Sequence, residues 1–482
     1  MTEYRLTPDG VQARRMTKDE LGLLQAAEAR LTHVRVPRFL DTPADRVFVA
    51  AMDGTGNNFY KDAAENLTVV ALLKEQVEHA LHPQLKVGYV AGVGTQDDAV
   101  VRGVDGALAL TFRNRVEQVY LEFCTQAALW LEEEPQARIR LAGVGFSRGA
   151  EGVAALQRLV HERGIRDPVG AVSDYGPDGI LERITWAELP PLVPPGRTVQ
   201  AALLLDPVAT SLREHDRRLP ASNVSTLQIT SLQEPRDHFP GTLHAPPGLT
   251  EAGTVANLMV GGAHSDIGGA YTLDGVGRRV HNMGVDYFNG LFGERLLEQV
   301  PVAHDPRMFV VHRSDQHKGG LWPTGEWERT GERGMHTDLA PACVRLEPAP
   351  CHRDPVDHRL AAGLEWRHVV RGRPPGGTDA RLERAQEAIG RMYQRFPDAM
   401  DRTAARAGMP GSAELLSARE HVRGLFERLA EAAVARDDAA MSAAARAYAS
   451  TPAGALLMPG LAVAQAWGAK QHAAPPAHAL QP

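Results

Sequence analysis

The stretch at residues 138–163, RIRLAGVGFSRGAEGVAALQRLVHER, decides the fold of this chain. Its first part is an apolar run of strand length, and its last part has apolar residues at helical spacing. Between them stands GFSRG at 145–149, which matches the G-x-S-x-G turn from a strand into a helix. Larger side chains two positions before and after the serine would collide in so tight a turn, which leaves the serine strained and exposed. The pattern predicts Ser147 as a nucleophile; a serine that caps the helix is the alternative.

Five further strand candidates lie on both sides of this unit. They occupy residues 47–52, 87–90, 199–205, 227–231 and 257–260, and helical patterns at 66–80 and 112–131 separate several of them. Strands that alternate with helices are typical of the α/β class with a mostly parallel sheet. In such a sheet the functional site lies at the carboxyl ends of the strands.

A nucleophilic serine in this turn needs an acid and a base, which follow it along the chain in the order serine, acid, histidine. Asp206 ends the run AALLLD, where an orienting carboxylate is expected. His264 follows the run NLMVGGA in a glycine-rich segment and is the predicted base. His312 also ends an apolar run and is the alternative base, and Asp266 is the alternative acid.

Backbone N–H groups that stabilise an oxyanion are expected at two places. One is Arg148, directly after the serine, and the other is the loop DGTGNN at 53–58, with Gly54 and Thr55 as donors. No Gly-Lys-Ser/Thr follows this loop and it lacks G-x-G-x-x-G, which argues against phosphate and dinucleotide sites. The chain also has no H-E-x-x-H pattern, so we expect no cofactor and no metal, and a structural calcium ion stays open as the alternative.

Composition and charge exclude several classes of protein. The 482 residues carry 52 Lys and Arg against 59 Asp and Glu, a net charge of −7, which argues against a nucleic-acid-binding protein. With three cysteines a disulfide scaffold is not expected, and free thiols are favoured over a bond between Cys343 and Cys351. Residues 1–15 have no apolar core of a Sec signal peptide, and no apolar run is long enough to span a membrane. We therefore expect synthesis in the cytoplasm.

Changes in composition predict four parts of the chain. They are an N-terminal arm at 1–45, a catalytic domain at 46–330, a helical accessory region at 331–450 and a flexible apolar and Pro/Ala-rich tail at 451–482. The Pro- and Gly-rich segment 167–195 interrupts the alternation of strands and helices, and both a cap and a surface loop fit it. The apolar stretch at 453–467 is too short to span a bilayer but could lie on one.

Seven motifs in chain order resemble the catalytic domain of type VI secretion lipase effectors of family 1, an α/β-hydrolase family. They are DGTGNN at 53–58, NLTV at 66–69, YVAGVGT at 89–95, GFSRGA at 145–150, LDPV at 205–208, EPR at 234–236 with Phe239, and GAHSDIGGAY at 262–271. Together they span about residues 46–320. An ordered set of this size is far more specific than the serine turn alone.

The resemblance implies an α/β-hydrolase-like fold and a catalytic triad of Ser147, Asp206 and His264. It implies a phospholipase of the A type, which cleaves acyl esters of membrane phospholipids, and an antibacterial effector secreted into the periplasm of target cells. The partners it implies are a phospholipid membrane surface, a secretion-system spike or adaptor and an immunity protein. Two other functions stay open: a soluble esterase for small substrates, and a catalytically silent binding module with a hydrolase fold.

Overall fold

The computed structural model describes residues 4–96, 105–106, 108–177, 179–317, 322–345 and 351–395. The helices are α1 Lys18–Leu31, α2 Val69–His79, α3 Phe112–Glu133, α4 Arg148–Arg163, α5 His264–Gly268, α6 Gly275–Phe292, α7 Gly325–Thr330, α8 Pro341–Arg345, α9 His358–Ala362 and α10 Ala380–Arg395. The strands are β1 Tyr4–Leu6, β2 Gln12–Arg15, β3 Arg35–Pro37, β4 Asp45–Met52, β5 Leu85–Val90, β6 Arg138–Phe146, β7 Val172–Tyr175, β8 Leu181–Thr185, β9 Val199–Leu205, β10 Asn223–Ser231, β11 Gly241–Thr242, β12 Gly248–Leu249, β13 Val255–Val260, β14 Val310–His312, β15 Met335–His336 and β16 Trp366–His368.

A seven-stranded sheet forms the centre of the fold, in the order β12-β13-β10-β9-β6-β4-β5. All neighbouring strands run parallel except β12 and β13. Every residue of β9 and β10 is buried, as expected of parallel strands covered on both faces. The structure therefore confirms the predicted α/β class with a mostly parallel sheet.

Helices cover both faces of this sheet. Along β4, Val47 and Val49 contribute to the core beneath α1, α2 and α6, whereas Phe48 and Ala50 contribute to the core beneath α3 and α4. The two sets alternate because successive side chains of a strand point to opposite faces. The carboxyl ends of the strands then lie together at one edge of the sheet, where the predicted site residues stand.

Segments outside the central sheet pack closely on it. Helix α1 begins at a capping box of Thr17 and Glu20 and buries Leu24 and Leu31 in the core. Strands β1 and β2 form a second sheet with β14, and β7 and β8 form a hairpin within the segment 167–195. Helix α10 buries Leu382 and Ile389 in the core that also contains Leu24 and Leu31 of α1. The sequence predictions for residues 396–482 lie outside the described residues.

Two of the three cysteines lie close together in the structure. The structure joins Cys343 and Cys351 by a disulfide, so the expectation of free thiols at these positions is wrong. Their Cα atoms lie 5.4 Å apart, a separation that a disulfide bridges and that sequence spacing does not reveal.

In the ranges that the structure describes, no helix combines the length and the apolarity that crossing a membrane would require.

Candidate active site

Ser147 lies in a strained turn between β6 and α4. Its φ of 58° and ψ of −128° are unusual for a residue with a side chain. A Cβ on Gly145 would stand 2.4 Å from the carbonyl oxygen of Gly149, and one on Gly149 would stand 2.1 Å from that of Met52, so both positions require glycine. Ser147 is only 2% exposed, which corrects the prediction of an exposed serine.

The predicted acid and base meet at the same edge of the sheet. Phe146 is paired with Leu205 where β6 and β9 end, so that Ser147 and Asp206 begin neighbouring loops. His264 begins α5, after β13. Its Nδ1 lies 2.5 Å from Asp206 Oδ2, and both side chains are buried. Since a carboxylate only accepts hydrogen bonds, Nδ1 carries the hydrogen and Nε2 is the nitrogen that can accept a proton.

The other oxygen of Asp206 accepts two hydrogen bonds. Ser231 N lies 2.9 Å and Arg333 Nη1 2.6 Å from Asp206 Oδ1. Burial raises the pKa of Asp206, but the charges and hydrogen bonds of Arg333 and His264 together outweigh it, and the pKa is lowered. Burial is the largest influence on the pKa of His264 and lowers it, Asp206 raises it, and the net result is a lowered pKa, which favours the neutral imidazole that can accept a proton.

Aromatic rings and a buried ion pair hold His264 in place. Phe146 stacks on the imidazole with ring centroids 4.5 Å apart, and Phe239 meets its edge at 5.3 Å. The backbone N–H of His264 donates to Glu234 Oε2 (3.2 Å), and Glu234 pairs with Arg236 at 2.7 Å. Burial would raise the pKa of Glu234, yet the charge of Arg236 leads the effects that lower it to about 2. The EPR motif and Phe239 therefore belong to the surroundings of His264.

The alternative base and the alternative acid pair with each other. His312 Nδ1 lies 2.6 Å from Asp266 Oδ1, and Tyr271 stacks on the imidazole at 3.9 Å. Asp266 Oδ2 also accepts from Ala263 N (2.8 Å) and thereby caps the start of α5. This second pair anchors the helix that begins with His264.

A buried carboxylate organises the loop DGTGNN. Asp53 Oδ1 accepts from Gly54 N and from the hydroxyl of Thr68, each at 2.8 Å, and Oδ2 accepts from the hydroxyl of Tyr89 at 2.9 Å. Burial raises the pKa of Asp53 to about 6. The N–H of Gly54 is thus already used within the loop, which leaves Thr55 as the better oxyanion donor of the two predicted there.

Arg148 links this loop to the serine turn. Its Nε donates to Thr55 Oγ1 at 2.7 Å, and its guanidinium also donates to the carbonyl of Gly106. Among the residues that the structure describes, the backbone N–H groups of Arg148 and Thr55 meet no acceptor. Arg148 is the first residue of α4, where a helix leaves its N–H groups unpaired.

Within the described ranges, no group of three or more His, Cys, Asp or Glu side chains could hold a metal ion. What the edge of the sheet does bring together is a strained serine, a buried His–Asp pair and two unpaired N–H groups. These are the parts that an acyl-transfer site needs.

Residues 46–173 match the Tle1-like catalytic domain. The full description of that family is "T6SS, Phospholipase effector Tle1-like, catalytic domain". The Tle1-like match contains the loop DGTGNN and the turn with Ser147, and it confirms the resemblance inferred from the motifs. Asp206 and His264 lie beyond its end, so their roles depend on the geometry described above.

Comparison with solved structures finds an uncharacterized protein from Pseudomonas aeruginosa. The similarity covers 92% of this chain at 15% sequence identity, with a TM-score of 0.33. This chain matches 66% of that one, slightly less than two thirds of its length. Among curated proteins, none matches this chain.

Two features of the site were not predicted from the sequence. Arg333, which binds Asp206, lies far along the chain in no motif, and its neighbours in sequence carry no signal of a site. The role of Asp53 within its loop was also missed, although a buried carboxylate directly after a strand, next to a glycine, is a recognisable pattern.

Proposed function

We propose that this protein is a serine hydrolase that cleaves acyl esters of membrane phospholipids, a phospholipase of the A type. The observation that carries the proposal is the hydrogen-bonded pair of Asp206 and His264 at the strand ends beside Ser147. The similarity of residues 46–173 to a phospholipase effector family supports the choice of a lipid substrate.

In the proposed reaction, Ser147 Oγ attacks the ester carbonyl carbon while His264 Nε2 takes the hydroxyl proton. The new C–O bond converts the carbonyl oxygen to an oxyanion, and Asp206 stabilises the imidazolium. Collapse of the intermediate breaks the bond to the lysophospholipid oxygen, which receives the proton from His264. Water then attacks the acyl-serine by the same route and releases the fatty acid.

The oxyanion is stabilised by the backbone N–H groups of Arg148 and Thr55. Both are fixed before substrate arrives, because the Arg148 side chain ties the two segments together. A donor of this kind contributes about 10²–10³-fold to kcat. Gly54 has a supporting role, since its N–H holds Asp53 in the loop.

The proposed partners of this protein are a phospholipid membrane and a secretion system. With a net charge of −7, the protein as a whole is not attracted to anionic lipid, so local apolar contacts have to bring it to a bilayer. Val172 and Tyr175 of the β7–β8 hairpin, 63% and 50% exposed, are suited to such contacts. As an effector, the protein would be delivered into the periplasm of target cells by a secretion-system spike or adaptor, and an immunity protein would protect the producing cell.

Wild-type protein and Ser147→Ala, incubated with phospholipid vesicles and with a short-chain soluble ester, test the proposal. We expect lysophospholipid and free fatty acid from the wild type, and at least about a 10³-fold loss in the variant. Ser211→Ala is a matched control, because Ser211 also has a positive φ (66°) but is exposed and is not a predicted site residue.

Each other outcome identifies a different function. Hydrolysis of the soluble ester alone would identify a soluble esterase. Turnover of neither substrate by a folded wild-type protein would favour a binding module. If folded Ser147→Ala kept a tenth of the wild-type rate, the proposed nucleophile would be wrong.

A further inference from the structure

Arg333 stands in the turn before β15, which pairs with β11. It is 8% exposed and lies 127 residues after Asp206 in the chain. Burying a guanidinium is costly unless its N–H groups find acceptors, and within the described residues Nε and Nη1 of Arg333 find them whereas Nη2 does not. Its acceptors therefore indicate why the fold keeps it there.

The guanidinium connects three segments around the predicted acid. Nη1 donates to Asp206 Oδ1 (2.6 Å) and to the carbonyl of Ser231 (2.9 Å), and Nε donates to the carbonyl of Phe239 (2.9 Å). Phe239 in turn meets the ring of His264. One side chain thus fixes the carboxylate, the end of β10 and one wall of the imidazole site.

We propose that Arg333 is a positioning residue for the reaction, which holds the Asp206 carboxylate against His264 and offsets its negative charge. The inference rests on the proposed function, since it assigns His264 as the base. The proposed role requires an arginine at this position. A planar guanidinium donates hydrogen bonds along several fixed directions, whereas a lysine ammonium acts as a single charged point.

The charges around His264 show what Arg333 contributes. Asp206 at the end of β9 and Glu234 after β10 are negative; Arg236 after β10 and Arg333 before β15 are positive. Burial is the main cause of the lowered pKa of His264, Asp206 opposes it, and Arg236 and Arg333 lower it further. Without Arg333 the set becomes net negative, and the pKa of His264 rises.

The neutral variant Arg333→Met and the charged variant Arg333→Lys separate position from charge. For Arg333→Met we expect kcat to fall at least about tenfold and the acidic limb of the pH profile of kcat/KM to move up by about 1–2 pH units, because a nearby positive charge is lost. For Arg333→Lys we expect kcat to fall while the acidic limb stays near its wild-type position. Arg158→Met is the control, because Arg158 is a buried arginine that pairs with Asp354 instead.

A second readout does not need turnover. The imidazole Cε1–H signal of His264, identified by its absence in His264→Gln, is titrated by NMR in the Ser147→Ala background with and without Arg333→Met. We expect the same upward shift of its pKa. If Arg333→Met does not fold, Arg333→Gln, which keeps hydrogen bonding without charge, takes its place.

An unchanged acidic limb and an unchanged NMR titration in a folded neutral variant would overturn the inference. A merely structural role would lower kcat and the melting temperature of both variants and leave the titration of His264 where it was. If wild-type protein hydrolyses no ester, the proposed function fails, while the NMR titration still decides the role of Arg333.

Discussion

Replacing Asp206 by asparagine changes one atom of the predicted triad and leaves its shape intact. Asp206 Oδ1 receives two donors, Ser231 N and Arg333 Nη1, whereas Oδ2 receives one, His264 Nδ1. The asparagine carbonyl therefore takes the Oδ1 side, since its NH₂ there would oppose two donors at about 1–3 kcal/mol for each unsatisfied group. Its NH₂ then faces Nδ1 of His264.

This orientation puts the hydrogen of His264 on the wrong nitrogen. Nδ1 must accept from the asparagine NH₂, so Nε2 carries the hydrogen and cannot take the proton of Ser147. A wrong tautomer of this kind lowers kcat by about 10⁴-fold in a serine hydrolase. At 1.36 kcal/mol for each tenfold, the loss is about 5.4 kcal/mol of transition-state stabilisation.

The assay is release of fatty acid from phospholipid vesicles by wild type, Asp206→Asn and Asp266→Asn. Asp266→Asn is the matched control, because Asp266 holds His312 with the same geometry, at 2.6 Å. We expect the control to lose less than about tenfold, since it loosens α5 without changing the tautomer of His264. A folded Asp206→Asn protein with a kcat within tenfold of wild type would refute the tautomer argument.

Two further predictions concern the base and the C-terminal region. His264→Ala should abolish turnover and His312→Ala should retain part of it, because His312 contacts Asp266 and not Asp206; the reverse result in folded variants would show that the base is misassigned. A chain ending at Arg395 should keep soluble-ester hydrolysis and lose vesicle hydrolysis, whereas one ending at Gly377 should fold poorly. The second lacks α10, whose Leu382 and Ile389 are buried and whose Arg381 donates to the carbonyl of Gly269. Melting temperature and both ester assays check these outcomes, and equal vesicle activity of the full chain and the chain ending at Arg395 would contradict a membrane role of the last residues.

The elements predicted correctly from the sequence are those whose signal is local. The turn at Ser147 needs glycines at fixed positions and a strand and a helix beside it, and all three can be read within 26 residues. Several central strands are apolar runs because parallel strands are buried on both faces, although β10 also buries polar residues such as Gln228 and Thr230. Asp206 and His264 could be singled out because each stands shortly after such a strand, and their catalytic roles stay predictions.

Other properties depend on which segments meet, and local patterns do not encode that. His312 and Asp266 satisfied the same local criteria as the predicted base and acid, and the fold pairs them with each other instead. The burial of Ser147 likewise depends on how distant segments pack. The disulfide between Cys343 and Cys351 requires a short Cα–Cα separation, here 5.4 Å, which a spacing of eight residues does not by itself determine.

The sequence by itself determined the α/β class, the serine turn and the residue types at the strand ends, because steric demands of a turn and the burial of a strand act over a few neighbouring residues. The tertiary structure alone decided that His264 lies 2.5 Å from Asp206 across 58 residues of chain, and that Arg333 closes on the far side of the same carboxylate. The reason is physical: a hydrogen bond requires its two atoms to be within about 3 Å, and only the packing of β9, β10 and β13 side by side brings these groups to that distance.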